Sequence, residues 1–321
     1  MGPMRADDIT RCSLQWRGST HPTAGTSPTA GFWIAVEQPG PWGRSALIQS
    51  GLDPELGGRL DAAVGAMGGK VVLIRRPHTR VADLPETRTV FVAGNFLMTP
   101  WLGRRDVGEA ELPGVLDDLI GKLPHLASAS RPPAGFHPAP PVLFICTNGK
   151  RDRCCAIESR PIAEAATREV GAARVWESSH LNGHRFAPTA VVLPTAQMFA
   201  WVTETLALDA LAGAASGRLV LPGARHERGR TALPRPLQAV DIALRTAIGE
   251  TDPTALAFEG DAEGDAVEWL GRTARVGVTH RDGRRWLYEV GAQGAPDLPE
   301  SCGKAPAPVA EWVTVNPTGE P

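Results

Sequence analysis

The chain has 321 residues, 42% of them hydrophobic and 21% charged, which leaves room for about two domains with cores of their own and excludes a mainly disordered chain. Its net charge is −2 and its Lys and Arg are scattered, so no partner with a phosphate backbone is indicated. Five cysteines are too few and too odd a count for a disulfide framework, and three of them cluster, which points to metal binding or redox work.

The opening residues, Met1 to Asp8, lack the apolar core of a secretory signal, and no apolar run reaches membrane-span length, so the expected location is cytoplasmic. Residues 1–30 are rich in Thr, Ser, Gly and Pro and read as irregular, with Cys12 and His21 as isolated candidates and a ligand role for Cys12 the lesser reading. A buried strand over 32–36 is stopped by Gln38-Pro39-Gly40-Pro41. Asp53-Pro54 opens a helix with Leu56, Leu60, Val64 and Met67 on one face, closed by Gly68-Gly69. Strands follow over 70–74 and 89–93. After a loop of Gly, Arg and Asp, Val115, Leu116, Leu119, Ile120 and Leu123 mark a second helix. The Pro-rich run 124–141 has linker composition and places His125 and His137 in solvent. It divides the chain into units 1–130 and 131–321.

The second unit repeats the order. A strand over 142–146 is followed by a helix with Pro161 in its opening turn and Gly171 at its end, then a short strand over 174–177. A strand over 189–193 has a hairpin partner in 198–202, and a helix through Leu206, Ala210 and Ala214 closes at Gly217. We read two tandem α/β units, a degenerate duplication in which only the second copy carries ligands. Beyond lie a short apolar run at 219–221, a basic segment 225–230 expected to be solvated or to face an acidic partner, and a helix through Leu237, Val240, Leu244 and Ile248. A hairpin turning at Asp282-Gly283 adds an antiparallel β portion over 254–290. Cys302, in the Pro-rich tail, has no role legible from sequence.

The chemistry concentrates in two windows. Cys146 and Cys155 are spaced C-x8-C, His180 and His184 are spaced H-x3-H, and each pair follows a strand. If those strands are sheet neighbours, their loops leave by the same edge and four ligands converge. Two thiolates and two imidazoles suit a closed zinc site, although eight residues is a loose first spacing for zinc. They equally suit a [2Fe–2S] cluster with the Rieske ligand set. Cys154, beside Cys155, is an alternative ligand. Lys150, Arg151, Arg153 and Arg185 would add positive potential, with Asp152 orienting one of them; the alternative is a solvated loop. No G-x-S-x-G elbow, Walker A loop or G-x-G-x-x-G fingerprint occurs, so Ser178 and Ser179 beside His180 are not read as a hydrolase site.

The segments Cys146-Thr-Asn-Gly-Lys-Arg-Asp-Arg-Cys-Cys-Ala156 and Trp176-Glu-Ser-Ser-His-Leu-Asn-Gly-His-Arg-Phe-Ala-Pro-Thr189, with Leu193-Pro194, resemble the sucrase/ferredoxin-like family of thioredoxin-like ferredoxins. Gly40-Pro41-Trp42-Gly43 and Ser301-Cys302-Gly303 resemble its early and late segments. The resemblance implies a thioredoxin-like fold and a [2Fe–2S] cluster with Cys146 and Cys155 on one iron and His180 and His184 on the other. It therefore implies an electron-transfer protein serving a redox partner whose identity the sequence leaves open. This chain has His-Leu-Asn-Gly-His where the family tends to show His-x-Gly-Gly-His, which bears on the loop conformation at Asn182. A zinc-stabilised interaction module and a metal-free thiol oxidoreductase are the competing readings.

Overall fold

The computed structural model describes residues 11–77, 86–260 and 262–316, so the stretch read for a leader, residues 1–8, lies outside the described residues. A short helix, α1 (Cys12–Gly18), comes first, where the sequence predicts irregular chain. Seven residues without a side-chain N-cap cannot hold a helix alone. Tertiary contacts hold it instead: the Trp16 indole N–H donates to the Pro299 carbonyl at 2.9 Å, and its ring meets Phe186 edge-on at 5.1 Å.

The first unit runs β1 (Phe32–Glu37), α2 (Pro54–Ala66), β2 (Lys70–Arg75), β3 (Thr87–Gly94), β4 (Trp101–Gly108) and α3 (Leu112–Leu126). Helix α2 starts where expected because the Asp53 carboxylate accepts the Leu56 N–H at 2.8 Å and Pro54 sits in the first turn, where no donor is needed. The sequence misses β4, reading it as a loop: Trp101, Leu102 and Val107 anchor it, but Arg104, Arg105 and Asp106 break the apolar alternation. Its ladder comes from β3. The Pro-rich run is only partly a linker, since α3 continues through Pro124 and β5 (His137–Pro138) pairs onto β4. His125 and His137 are exposed, as expected.

The second unit runs β6 (Val142–Cys146), α4 (Arg153–Val170), β7 (Val175–Ser178), β8 (Ala190–Leu193), β9 (Gln197–Phe199) and α5 (Glu204–Ala215). Helix α4 begins well before Pro161, which lies inside it, because Asp152 caps it by accepting the Cys154 N–H at 2.9 Å. In both units the first two strands pair in parallel and the later ones add antiparallel, giving β2-β1-β3-β4 and β7-β6-β8-β9. The repeat expected from element order is thus present in pairing as well. Strands β2 and β7 meet antiparallel, Ile74 opposite Ser178 and Arg75 opposite Glu177, fusing the two units into one ten-stranded sheet.

Alternation along the strands divides the core. Phe32, Ile34 and Val36 face α2 and α3, where Leu60, Val64, Leu116 and Leu119 pack, whereas Leu143 and Ile145 face α4 and α5 at Ala163, Ala166 and Leu211. The opposite strand faces of both units share one cluster, in which Phe91 lies 6.0 Å from Phe144 and 5.7 Å from Trp176 across the seam. Each such aromatic pair contributes about 0.5–1.5 kcal/mol beyond burial.

Past α5, the residues at 219–221 form no strand. The basic segment is corrected by the structure: β10 (Glu227–Arg230) pairs with β9, and Arg228 and Arg230 are fully buried rather than solvated. Arg230 reaches Asp241 on α6 (Arg235–Ile248) at 2.9 Å, and Arg245 reaches the same carboxylate at 2.7 Å. The expected antiparallel portion is a four-stranded sheet, β11 (Leu256–Glu259), β12 (Thr273–His280), β13 (Arg285–Pro299) and β14 (Pro306–Val315), whose Val276, Val278, Trp286 and Val290 pack on Leu237, Val240 and Leu244 of α6. Among the described residues no helix is long and apolar enough to cross a membrane.

Two consequences are measurable. Asp241→Ala leaves two buried guanidiniums without their counterion and should lower stability by about 3–5 kcal/mol in urea denaturation. Burial pushes the Glu227 carboxyl up to about 8 against the opposing Gln197 hydrogen bond, and its Oε1 has no partner. The unfolded carboxyl ionises near 4.5, so this group's contribution is full below that pH and is lost as pH rises towards about 8. The urea midpoint should therefore fall more between about pH 5 and about pH 8 in the wild type than in Glu227→Gln.

Candidate metal centre

Strands β6 and β7 are parallel neighbours with Cys146 opposite Ser178, so the loops after them do leave by one edge. Cys146 ends β6, fully enclosed, and Cys155 stands in the first turn of α4 above it. His180 is fixed from the first unit: the Ser179 N–H donates to the Leu73 carbonyl at 2.8 Å, and the Leu73 N–H donates to the Ser179 hydroxyl at 3.0 Å. Ser178 Oγ donates to the Ser179 carbonyl at 3.2 Å. His184 opens a single 3-10 turn, His184–Phe186.

The chain reaches that turn through two left-handed residues, Asn182 at φ 65° and Gly183 at φ 73°. Asn tolerates this region better than other side-chain-bearing residues, which explains how it replaces a glycine here. At Gly183 a Cβ would lie 2.7 Å from the Arg228 guanidinium, which donates to the Asn182 carbonyl at 2.9 Å. Lys70 Nζ donates to Asn182 Oδ1 at 2.5 Å. Sequence reading missed both cations. Arg228 was hidden in the basic segment, and Lys70 carries no local signal because it comes from the other unit.

Of the four expected ligands, Cys146 meets Cys155 and His180. A hydrogen bond from Cys155 holds the Cys146 thiol well below its usual range, with His180 and the Leu181 N–H acting the same way against burial. Cys155 is pushed well above its range by Cys146 and by burial. The His180 and His184 ring centroids are 5.4 Å apart, and burial pushes the His184 imidazole down, towards the neutral form a metal ligand requires. Nδ1 of His180 and both ring nitrogens of His184 are buried without a hydrogen-bond partner.

Cys154 points elsewhere. Its sulfur lies 3.9 Å from Cys12 Sγ and 3.2 Å from Cys302 Sγ, and those two are 3.7 Å apart. Asp152 completes this group, accepting the Ser301 hydroxyl at 2.8 Å and the Cys302 N–H at 2.9 Å. Among the described residues this is the one set of three or more Cys, His, Asp or Glu side chains whose ligand atoms all lie within 4.8 Å of one another, and it is positioned to hold a metal ion. No spacing rule could have found it, since Cys12 and Cys302 come from the two ends of the chain.

Of the other residues expected near the site, Asp152 is buried and also lies 3.8 Å from His184 Nε2. Arg185 stacks on Phe186 at 4.7 Å and Trp16 at 5.1 Å. Lys150 is exposed, and Arg151 and Arg153 are half-buried beside it. The Gly40–Gly43 segment packs on the cysteine loop, where Asn148 Nδ2 donates to the Gly43 carbonyl at 3.1 Å.

No curated protein and no solved structure matches this chain. A family model described as sucrase/ferredoxin-like matches residues 23–220, which include Cys146, Cys154, Cys155, His180 and His184 but neither Cys12 nor Cys302. That match covers more than half of the sequence, and the chain belongs to the sucrase/ferredoxin-like family.

Proposed function

We propose that this chain is an electron-transfer protein whose second, thioredoxin-like unit holds a Rieske-type [2Fe–2S] cluster on Cys146, Cys155, His180 and His184. The reading is supported by Cys146 hydrogen-bonding with Cys155 and His180 beside His180 Nδ1 and the two His184 ring nitrogens, all three buried without a hydrogen-bond partner. When bound, the cluster supplies one-electron chemistry, and imidazoles in place of two thiolates remove negative charge and raise its potential above that of an all-cysteine centre.

The residues of the chain set the environment. The Leu181 N–H donates to the Cys146 sulfur, and Lys70 and Arg228 stand in its field, both with little water to screen them. Burial is also what pushes these two cations below their usual range, with Arg228 falling to about 9. Positive charge here favours the deprotonated sulfurs and an added electron. His180 and His184 are half-buried, and that face is the side from which a redox partner would approach. The first unit, without ligands of its own, buttresses the site through Leu73, Lys70 and the Gly40–Gly43 segment.

A single zinc ion on the same four residues fits less well. Zinc bonds of about 2.0–2.3 Å draw all ligand atoms within about 4 Å of one another. No three atoms of this set meet even within 4.8 Å, whereas those of the Cys12 group do. A metal-free dithiol centre would leave the imidazole nitrogens orphaned inside the protein.

Protein purified without air should contain iron and acid-labile sulfide in equal amounts and give a low-temperature paramagnetic signal after reduction. Cys155→Ser and His184→Ala should each lose that signal, and Cys154→Ser should keep it. Iron retained in Cys155→Ser and lost in Cys154→Ser would refute the ligand assignment. A colourless protein containing zinc alone would refute the function.

A further inference from the structure

The group formed by Cys12, Asp152, Cys154 and Cys302 does not depend on the cluster reading, because it uses none of the same sulfurs. Its dimensions match those of a single tetrahedral ion. Four ligands around one zinc ion, with thiolate bonds of about 2.3 Å, have edges of about 3.8 Å. The three sulfurs here are separated by 3.9, 3.7 and 3.2 Å, and Asp152 Oδ1 lies 3.9 Å from Cys12 Sγ and 3.1 Å from Cys302 Sγ. A diiron or larger cluster would spread the sulfurs further, and a disulfide needs about 2.05 Å.

The group is also closed: the Cys12 thiol donates to Cys154 Sγ, Cys12, Cys154 and Asp152 are buried, and Cys302 is only partly exposed. Three thiolates and a carboxylate around a dipositive ion leave a net negative charge. The positive end of α4 meets it, and so do Arg17 and Arg185, which lie in the fields of Cys154 and Cys12 respectively.

We propose that Cys12, Cys154, Cys302 and Asp152 form a closed, structural zinc site that clamps α1 and the β13–β14 turn onto the N-terminus of α4. The position of the site explains its use. Helix α1 is too short and too poorly capped to persist by itself, yet it packs against the His184 turn. Cys12 and Cys302 lie 142 and 148 residues from Cys154, so one ion closes two long loops. Its binding free energy appears directly as stability of the assembled site. Both Cys12 and Cys302 fall outside the stretch that matches the family model.

Elemental analysis of the full chain, purified without chelators, is expected to find stoichiometric zinc. Cys302→Ser and Cys12→Ser should each lose it while keeping the iron and sulfide of the wild type. If Cys12→Ser proves insoluble, Cys302→Ser suffices, because that side chain is partly exposed. Cobalt(II) added to wild-type protein stripped of zinc should give intense sulfur-to-cobalt charge-transfer absorption that Cys302→Ser abolishes. Zinc that survives both substitutions would overturn the proposal. So would iron in the place of zinc, or zinc-free protein carrying a Cys154–Cys302 disulfide when purified without air. Loss of iron in Cys155→Ser with zinc unchanged would show the two centres to be independent.

Discussion

The parallel pairing of β6 with β7 sets where everything else in the candidate site must go. Parallel neighbours send their C-terminal loops out over the same edge, so Cys146 and His180 become neighbours without any contact between their own segments in sequence. That pairing is itself held from outside. On the far side of β7, β2 contributes the Arg75–Glu177 ion pair at 2.5 Å, and the Thr147 hydroxyl donates to the same carboxylate at 2.8 Å, tying the seam to the cysteine loop. A shift of one residue at the seam would turn Ser179 and His180 to the opposite face.

The duplicated architecture gives this dependence a physical sense. One unit alone would expose β7 as an unpaired edge beside its most reactive side chains, and edges invite pairing with other chains. The first unit covers that edge with β2 and shares an aromatic cluster across it. It also delivers Lys70 to Asn182. The ligand-free copy is therefore part of the site's wall, and the absence of ligands in it costs the centre nothing.

Much of this was legible from residues. The strands ending at Cys146 and before His180, the helix capped by Asp53, the hairpin at Asp282-Gly283 and the repeat order all carry strong local signals. What sequence missed falls into two physical kinds. Strand β4 and helix α1 lack apolar periodicity because their stability comes from a partner: the β3 ladder for one, Trp16 on Pro299 and Phe186 for the other. Arg228 and Arg230 were misread because charge in sequence suggests water. Here each guanidinium is satisfied inside the fold, Arg230 by Asp241 and the Pro253 carbonyl, and Arg228 by the carbonyls of Thr26 and Asn182. Convergence of Cys12 with Cys302 is a third case, invisible to any rule based on spacing.

The vicinal cysteines show how closely the two groups are built together. In the first turn of a helix adjacent side chains diverge by about 100°, so Cys155 turns inward to Cys146 while Cys154 turns outward to Cys12 and Cys302. Asp152, the cap of the same turn, joins them: it fixes the Cys154 N–H, receives Ser301 and Cys302, and stands 3.8 Å from His184. Any force that moves the N-terminus of α4 must therefore act on both groups at once. A cation bound among the outer sulfurs would lock the cap, and with it the height of Cys155 above Cys146. The two groups thus share a single helical turn without sharing a sulfur.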